Sequence, residues 1–162
     1  MPRACFVGPM TLQNSLIRAT LCLVILGGPA AAQTRLAEQA MNCAAVFSIF
    51  SEVHAGEPVL ATKFTKAVDI FSGLYAKEST PLVDAQETTQ RRRAAVQDFR
   101  QTWAARAPYF VENAVICGAW AEGFFGQGDR YQFVPVYPKV VAPHIRSQYQ
   151  AQADEVLKRW QP

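Results

Sequence analysis

The chain has 162 residues, of which 50% are hydrophobic, 18% charged and 11% aromatic. This composition excludes intrinsic disorder, collagen-like repeats and disulfide-dense miniproteins, and the length suits one domain better than two. The formal charge of +3 and the four cysteines raise the questions of nucleic-acid binding and of a two-disulfide scaffold, which depend on where the mature chain begins.

The N-terminal segment has the pattern of a secretory signal peptide. Basic residues precede an apolar run over residues 21–26, and three alanines, 30–32, stand directly before Gln33. A basic region, a short apolar region and an A-x-A site in this order are typical of a cleaved leader. We predict a signal peptide over residues 1–32, with Met10 as an alternative start. The alternative interpretation is a buried N-terminal helix of the mature fold.

Cleavage after Ala32 changes the net charge and the number of cysteines of the chain. The leader contains two arginines and no acidic residue, so its removal lowers the formal charge to +1. Nucleic-acid binding then has no support from charge. Two of the four cysteines also leave, and Cys43 and Cys117 remain. We expect residues 33–162 to form a single exported domain, periplasmic or extracellular, without a membrane anchor.

Helical periodicity runs through this domain. Apolar residues follow one another at steps of four and three, as on a helix that packs against near-parallel or antiparallel neighbours. The purest series are Leu36, Ala40, Cys43, Phe47 and Phe50; Leu60, Phe64, Ala67, Phe71 and Leu74; and Phe110, Ala114, Cys117, Ala121 and Phe124. Prolines precede four of the periodic stretches, a position that suits the first turn of a helix. We predict helices over residues 34–55, 58–77, 81–106, 108–125 and 143–160.

The fold class predicted from these elements is an all-α, antiparallel bundle of four to five helices, since short connections place successive helices side by side. Thr80 is the expected N-cap of the third helix. Residues 127–142 are expected to be irregular. Within them, residues 131–136 are the one run that suggests a strand, and Pro138 is a possible start of an extra turn.

Cys43 and Cys117 lie in the middle of two predicted apolar stripes, so both side chains should point inward. An exported protein meets oxidising conditions, and two cysteines allow one intramolecular pairing. We predict a Cys43–Cys117 disulfide, which would close a loop of about 75 residues and stabilise the fold by about 4 kcal/mol. Small neighbours, Gly118 among them, should let the helices approach. The alternative is a pair of buried free thiols.

Neither a metal nor a cofactor is indicated. His54 and His144 fall at helix ends, and two histidines without a spaced partner make a weak metal signal. Met41 with His144 is a conceivable pair of axial ligands for a non-covalent haem, but Met41 lies away from its apolar stripe and is better explained as a partly buried packing residue.

The pattern of charged residues does not indicate a catalytic site either. Residues Arg91, Arg92 and Arg93 are consecutive on a helix and spread over about 200° of its surface, so a solvated face is favoured over an anion-binding patch. Glu87 is placed to pair with Arg91. Glu112 and Glu122 lie about 80° apart, neither at the centre of the apolar stripe, and do not form an evident acid–base pair.

The segment over residues 130–141 is the remaining candidate, because it is rich in aromatic and β-branched residues and carries two prolines. It could border a pocket or bind a partner, but packing across the end of the bundle is the simpler interpretation. We therefore predict a non-enzymatic accessory or binding protein that uses a protein surface or a small apolar pocket. The alternative is an enzyme or cofactor-binding bundle whose site is assembled between helices, beside His54 and this segment. The substrate, ligand and partner are not predictable from the sequence.

Overall fold

The computed structural model describes residues 29–134 and 136–161, and no strand occurs in these two ranges. Four helices, named α1 to α4 in chain order, and two short 3-10 turns make up the described structure. They are α1 (Pro29–Val53), α2 (Pro58–Glu78), α3 (Ala85–Gln127), the 3-10 turns Gly128–Arg130 and Pro138–Val140, and α4 (Pro143–Trp160).

The predicted signal peptide lies outside the described residues except for its last four, which begin α1. The chain divides into two units between Ala32 and Gln33. The side-chain contacts between the described helices lie within the unit that starts at Gln33.

The central part of α1, residues 40–50, is buried on nearly all sides, whereas the sequence predicted a single inward stripe. Between Ala40 and Phe50 every residue is buried except Asn42 and Ser48. A helix that is apolar around its whole circumference belongs in the interior of a bundle. The sequence AMNCAAVFSIF over residues 40–50 is of this kind, and α2, α3 and α4 all contact it.

Helix α2 runs antiparallel to α1 and contributes the aromatic centre of the core. The ring of Phe47 stacks on Phe64 and on Phe71, with centroids 5.9 and 5.7 Å apart. Phe50 packs against Phe64 at 5.2 Å. Phe50, late in α1, thus meets Phe64, early in α2, while the earlier Phe47 reaches the later Phe71, as the predicted antiparallel hairpin requires.

Helix α3 spans the third and fourth predicted helices, and the predicted boundary between residues 106 and 108 coincides with a kink rather than with a loop, so four continuous helices are counted where five were predicted. The chain kinks at Arg106, whose φ of −123° and ψ of 18° leave the helical region, and it continues through Pro108. Proline removes one backbone donor and kinks a helix, but it does not force a loop when packing holds both flanks. Here Phe99 and Phe110 are buried on either side of the kink, with their ring centroids 5.4 Å apart.

The start of α3 also differs from the prediction. The helix begins at Ala85 rather than Pro81, and its N-cap is Asp84 rather than Thr80. The Asp84 carboxylate accepts a hydrogen bond from the backbone N–H of Glu87 at 2.7 Å. An acidic cap with glutamate three residues later is a recognisable N-terminal signal, and it outweighs the proline.

Helix α4 packs antiparallel to the second half of α3. Tyr149, Ala153 and Val156 are fully buried, as their spacing predicts. Trp160 at the end of α4 meets Phe110 early in that half of α3, with centroids 5.6 Å apart. The observed bounds of α4 agree with the predicted helix over residues 143–160.

Candidate functional site

Cys43 and Cys117 are fully buried and lie within disulfide-bonding distance, with their Cα atoms 5.2 Å apart. The proximity that the predicted disulfide requires is therefore present. The role assigned to Gly118 is wrong, however. The atoms nearest to a Cβ at Gly118 belong to the ring of Tyr149 on α4 and not to α1.

A polar cluster of three side chains joins α2, α3 and α4. Both Lys63 and Tyr149 donate hydrogen bonds to the same carboxylate oxygen of Glu122, at 2.6 and 2.7 Å. The Lys63 ammonium also lies 5.9 Å from the centre of the Tyr149 ring. Buried polar groups need such partners, because an unpaired one loses its hydration without compensation.

The electrostatics of this cluster favour a carboxylate and a neutral phenol. Burial raises the pKa of Glu122, but the hydrogen bonds from Lys63 and Tyr149, together with the positive fields of Lys63 and His144, outweigh burial and hold the pKa below its usual value. Burial, and secondarily the hydrogen bond to Glu122, raises the pKa of Tyr149 well above that of a free phenol.

The geometry of one carboxylate oxygen shared by donors from two other helices indicates that the cluster links α2, α3 and α4, and the pKa shifts agree with this structural role. A general base works best with a pKa near the ambient pH, and a carboxylate with a lowered pKa is a poor base. The cluster was not predicted from the sequence, because Lys63, Glu122 and Tyr149 are far apart in the chain. Glu112, the other carboxylate considered on this helix, is exposed.

His54 is buried near the turn that follows α1. Its Nδ1 atom lies 2.7 Å from Glu57 Oε1, and its Nε2 atom lies 3.8 Å from Glu155 Oε2. Its ring packs on Phe64 with centroids 5.7 Å apart. Glu155 is three turns beyond His144 on α4, which separates the two histidines by about 16 Å along the helix. The structure therefore does not bring the histidines together.

The conceivable haem ligands occupy different environments. Met41 is 7% exposed and belongs to the core, more deeply buried than its position off the stripe predicts, whereas His144 is exposed. In the part of the chain that the structure describes, no three His, Cys, Asp or Glu side chains group together as a metal site would require.

The segment over residues 130–141 packs partly on the end of the bundle. The Trp120 indole N–H donates to the carbonyl of Val134 at 2.8 Å, and the ring of Phe133 lies 4.2 Å from Trp120. Tyr131 packs on Phe124 at 4.7 Å, and a Cβ at Gly123 would overlap the Tyr131 ring.

Other side chains of the segment face outward, since Tyr137 and Val140 are 71% and 75% exposed. Pro138 begins a 3-10 turn, as the sequence suggested. The segment rests on Trp120 and Phe124, whereas His54 contacts Glu57, Phe64 and Glu155. The site proposed between His54 and this segment is therefore not assembled by these contacts.

A groove of 570 Å³ lies between α2 and the C-terminal end of α3. Four apolar side chains line it: Ile70, Leu74, Phe124 and Phe125. Charged residues of both signs border it, namely Lys66, Lys77, Asp69 and Asp129. The volume falls in the range of small-molecule sites, which typically combine apolar walls with a few polar groups. We refer to it as the α2–α3 groove.

Gly73 is an exposed residue of α2 at the wall of the α2–α3 groove. It lines the groove, and a Cβ built on it would meet no atom within 4 Å. Gly118 and Gly123, by contrast, leave room for tyrosine rings of the same chain. Glycine inside a helix costs about 1 kcal/mol relative to alanine. At Gly73 no side chain of the described residues accounts for that cost.

The aromatic wall of the groove is held by the polar cluster. The ammonium groups of Lys63 and Lys66 lie 5.5 and 5.6 Å from the centre of the Phe125 ring. Lys63 is also bound to Glu122, so the polar cluster contacts the Phe125 side of this wall. A sequence signal for the groove is present in the steps of three and four through Lys66, Ile70, Gly73 and Lys77, but it was not among the sequence predictions.

No family model, curated protein or solved structure matches the chain. Among the described residues, no helix has both the length and the apolar character needed to cross a membrane.

Proposed function

We propose that residues 33–162 form an exported, non-enzymatic binding protein that holds a small apolar molecule in the α2–α3 groove. Export is supported by the leader pattern over residues 1–32 and by a cysteine pair placed to form a disulfide. Disulfides persist in oxidising compartments such as the periplasm. Export predicts that the mass of the protein isolated from its native host corresponds to residues 33–162; recovery of the uncleaved chain would contradict it.

The observation that carries the binding proposal is Gly73 at the wall of an apolar groove. Its missing side chain leaves open space beside Phe124 and Phe125. A larger residue would fill this space without meeting another atom of the chain nearby. Water fills an open groove of this kind, and a ligand that displaces the water removes the apolar wall from solvent, which favours binding.

The border of the groove limits the polar part of the ligand. Lys66 and Lys77 are balanced by Asp69 and Asp129, so the rim carries no net charge. We infer a ligand with an apolar body and a neutral or zwitterionic polar group, because a rim without net charge offers no net attraction to a strongly charged group.

The test uses the neutral fluorescent probe N-phenyl-1-naphthylamine with residues 33–162. The unmodified chain should bind the probe with saturation and a rise in fluorescence. Gly73→Phe should weaken binding by about tenfold or more, because the phenyl ring takes the volume of the ligand. Gly73→Ala is the matched control, since one methyl group leaves most of the groove free.

Circular dichroism of both variants separates loss of binding from loss of folding. Equal affinity of the Gly73→Phe variant and the unmodified chain would overturn the assignment of the groove, and so would the absence of saturable binding. If the probe is displaced by a peptide and not by small amphiphiles, the occupant is a protein segment and the proposed ligand class is wrong.

A further inference from the structure

A second groove, independent of the one assigned above, lies between α1 and the first half of α3. Its volume is 630 Å³, and three arginines border it: Arg92, Arg93 and Arg100. Arg93 and Arg100 are seven positions apart and share one face of α3, while Arg92 borders the groove from about 100° further around the helix. Glu52 of α1 is the one carboxylate among its lining residues. We refer to it as the arginine groove.

Two of the three guanidinium groups are held by neighbouring helices. Arg92 donates to the hydroxyl oxygen of Ser72 on α2, at 3.3 Å. Arg100 forms an ion pair with Glu52 on α1. Guanidinium groups that are already oriented lose less conformational freedom when an anion binds.

Arg93 differs from its neighbours, since it forms no ion pair or side-chain hydrogen bond with the residues that the structure describes. Gln97, one turn further along α3, adds an amide donor to the same groove. With Glu52 engaged by Arg100, the groove has an excess of positive charge and unused N–H donors.

Arg91 and Arg93 are both exposed, but their surroundings differ. It binds Glu87 at 3.1 Å, as the sequence predicted, and it does not line the groove. The sequence predicted a solvated face for all three arginines, and Arg91 and Arg93 are exposed accordingly, whereas Arg92 is partly buried. Arg92 and Arg93 line the groove and Arg91 does not.

We propose that the arginine groove binds a phosphate group, with Arg93 as the principal ligand and Arg92 and Arg100 as oriented supports. The planar fork of arginine fits the oxygens of a phosphate through two parallel hydrogen bonds. A doubly charged oxyanion also matches a groove with three cations and one carboxylate. The phosphate group belongs either to a soluble compound or to a lipid headgroup.

The experiment titrates residues 33–162 with inorganic phosphate at low ionic strength, followed by the NMR signals of the arginine side chains. Arg93→Gln should weaken binding by about fivefold to tenfold, since it removes a charged hydrogen-bond donor. Arg91→Gln makes the same change of charge outside the groove and should alter affinity by less than about twofold. Sedimentation with phosphatidylglycerol vesicles, with phosphatidylcholine vesicles as the control, identifies a lipid source.

Each outcome bears on the proposal. Binding of inorganic phosphate that depends on Arg93 supports the site. Binding to phosphatidylglycerol vesicles alone, lost in the Arg93→Gln variant, supports it with a lipid headgroup as the source. Equal losses in the Arg91→Gln and Arg93→Gln variants would show a general effect of net charge and overturn it. Absence of binding to both probes would overturn it as well.

Discussion

Replacing Gly118 with alanine tests how closely α3 and α4 pack. A Cβ at this position would overlap three atoms of the Tyr149 ring. The ring has no room to move aside, because Tyr149 is fully buried and its hydroxyl group is bound to Glu122 at 2.7 Å. The helices must therefore separate locally, or the tyrosine must give up its hydrogen bond. Overpacking of this kind costs about 1–3 kcal/mol.

Gly73→Ala is the control, because it makes the same chemical change within a helix where no atom lies within 4 Å. The intrinsic gain from glycine to alanine, about 1 kcal/mol, applies to both variants. We expect Gly73→Ala to raise the free energy of unfolding by up to about 1 kcal/mol, and Gly118→Ala to fall about 2 kcal/mol below it. Urea unfolding followed by circular dichroism measures both midpoints. A Gly118→Ala variant as stable as Gly73→Ala would refute the close packing described here.

Two further predictions concern the covalent and the polar ties between helices. If Cys43 and Cys117 are paired, native protein denatured without reductant should not react with a thiol alkylating agent, and labelling of both thiols would contradict the pairing. Replacing both cysteines with alanine should lower the free energy of unfolding by about 4 kcal/mol. Glu122→Gln should lower the free energy of unfolding by about 1–3 kcal/mol at neutral pH, because the amide loses the charge that Lys63 binds. Since the pKa of Glu122 is lowered in the folded state, its contribution is complete above the unfolded value of about 4.3 and is lost as the pH falls through the folded value. The difference between the native chain and this variant, measured in urea from pH 7 to pH 3, should therefore shrink below about pH 4, and a difference independent of pH would be evidence against the ion pair.

The helical class, the cysteine proximity and the buried face of α4 follow from apolar spacing, because that spacing is a local property of the chain. Tyr149, Ala153 and Val156 are buried as their steps of four and three require. At Pro108 the same reasoning located the break in helical geometry, which is the kink at Arg106, but it did not predict that the chain stays helical on both sides without a loop. Whether a helix continues through it depends on tertiary contacts such as that between Phe99 and Phe110.

The candidate sites could not be predicted from the local sequence either, because they depend on contacts between distant parts of the chain. Lys63 and Glu122 are 59 positions apart, and each alone looks like a surface charge. Gly73 resembles any other helical glycine until the space around it is known. His54, in contrast, attracted attention as a possible ligand and is a packed residue beside Glu57.

The kink at Arg106 divides α3 into halves of unequal burial. Only Thr88 and Phe99 are buried before it, whereas the half that follows carries most of the buried residues and Cys117. Backbone amides open by local unfolding at a free energy that grows with buried contacts. The first half should therefore exchange its amide hydrogens through partial detachment, while the cross-linked remainder stays closed. Because Arg93 lies on this half, an anion bound there would slow its amide exchange. The first half of α3 would then unfold together with the rest of the domain rather than separately.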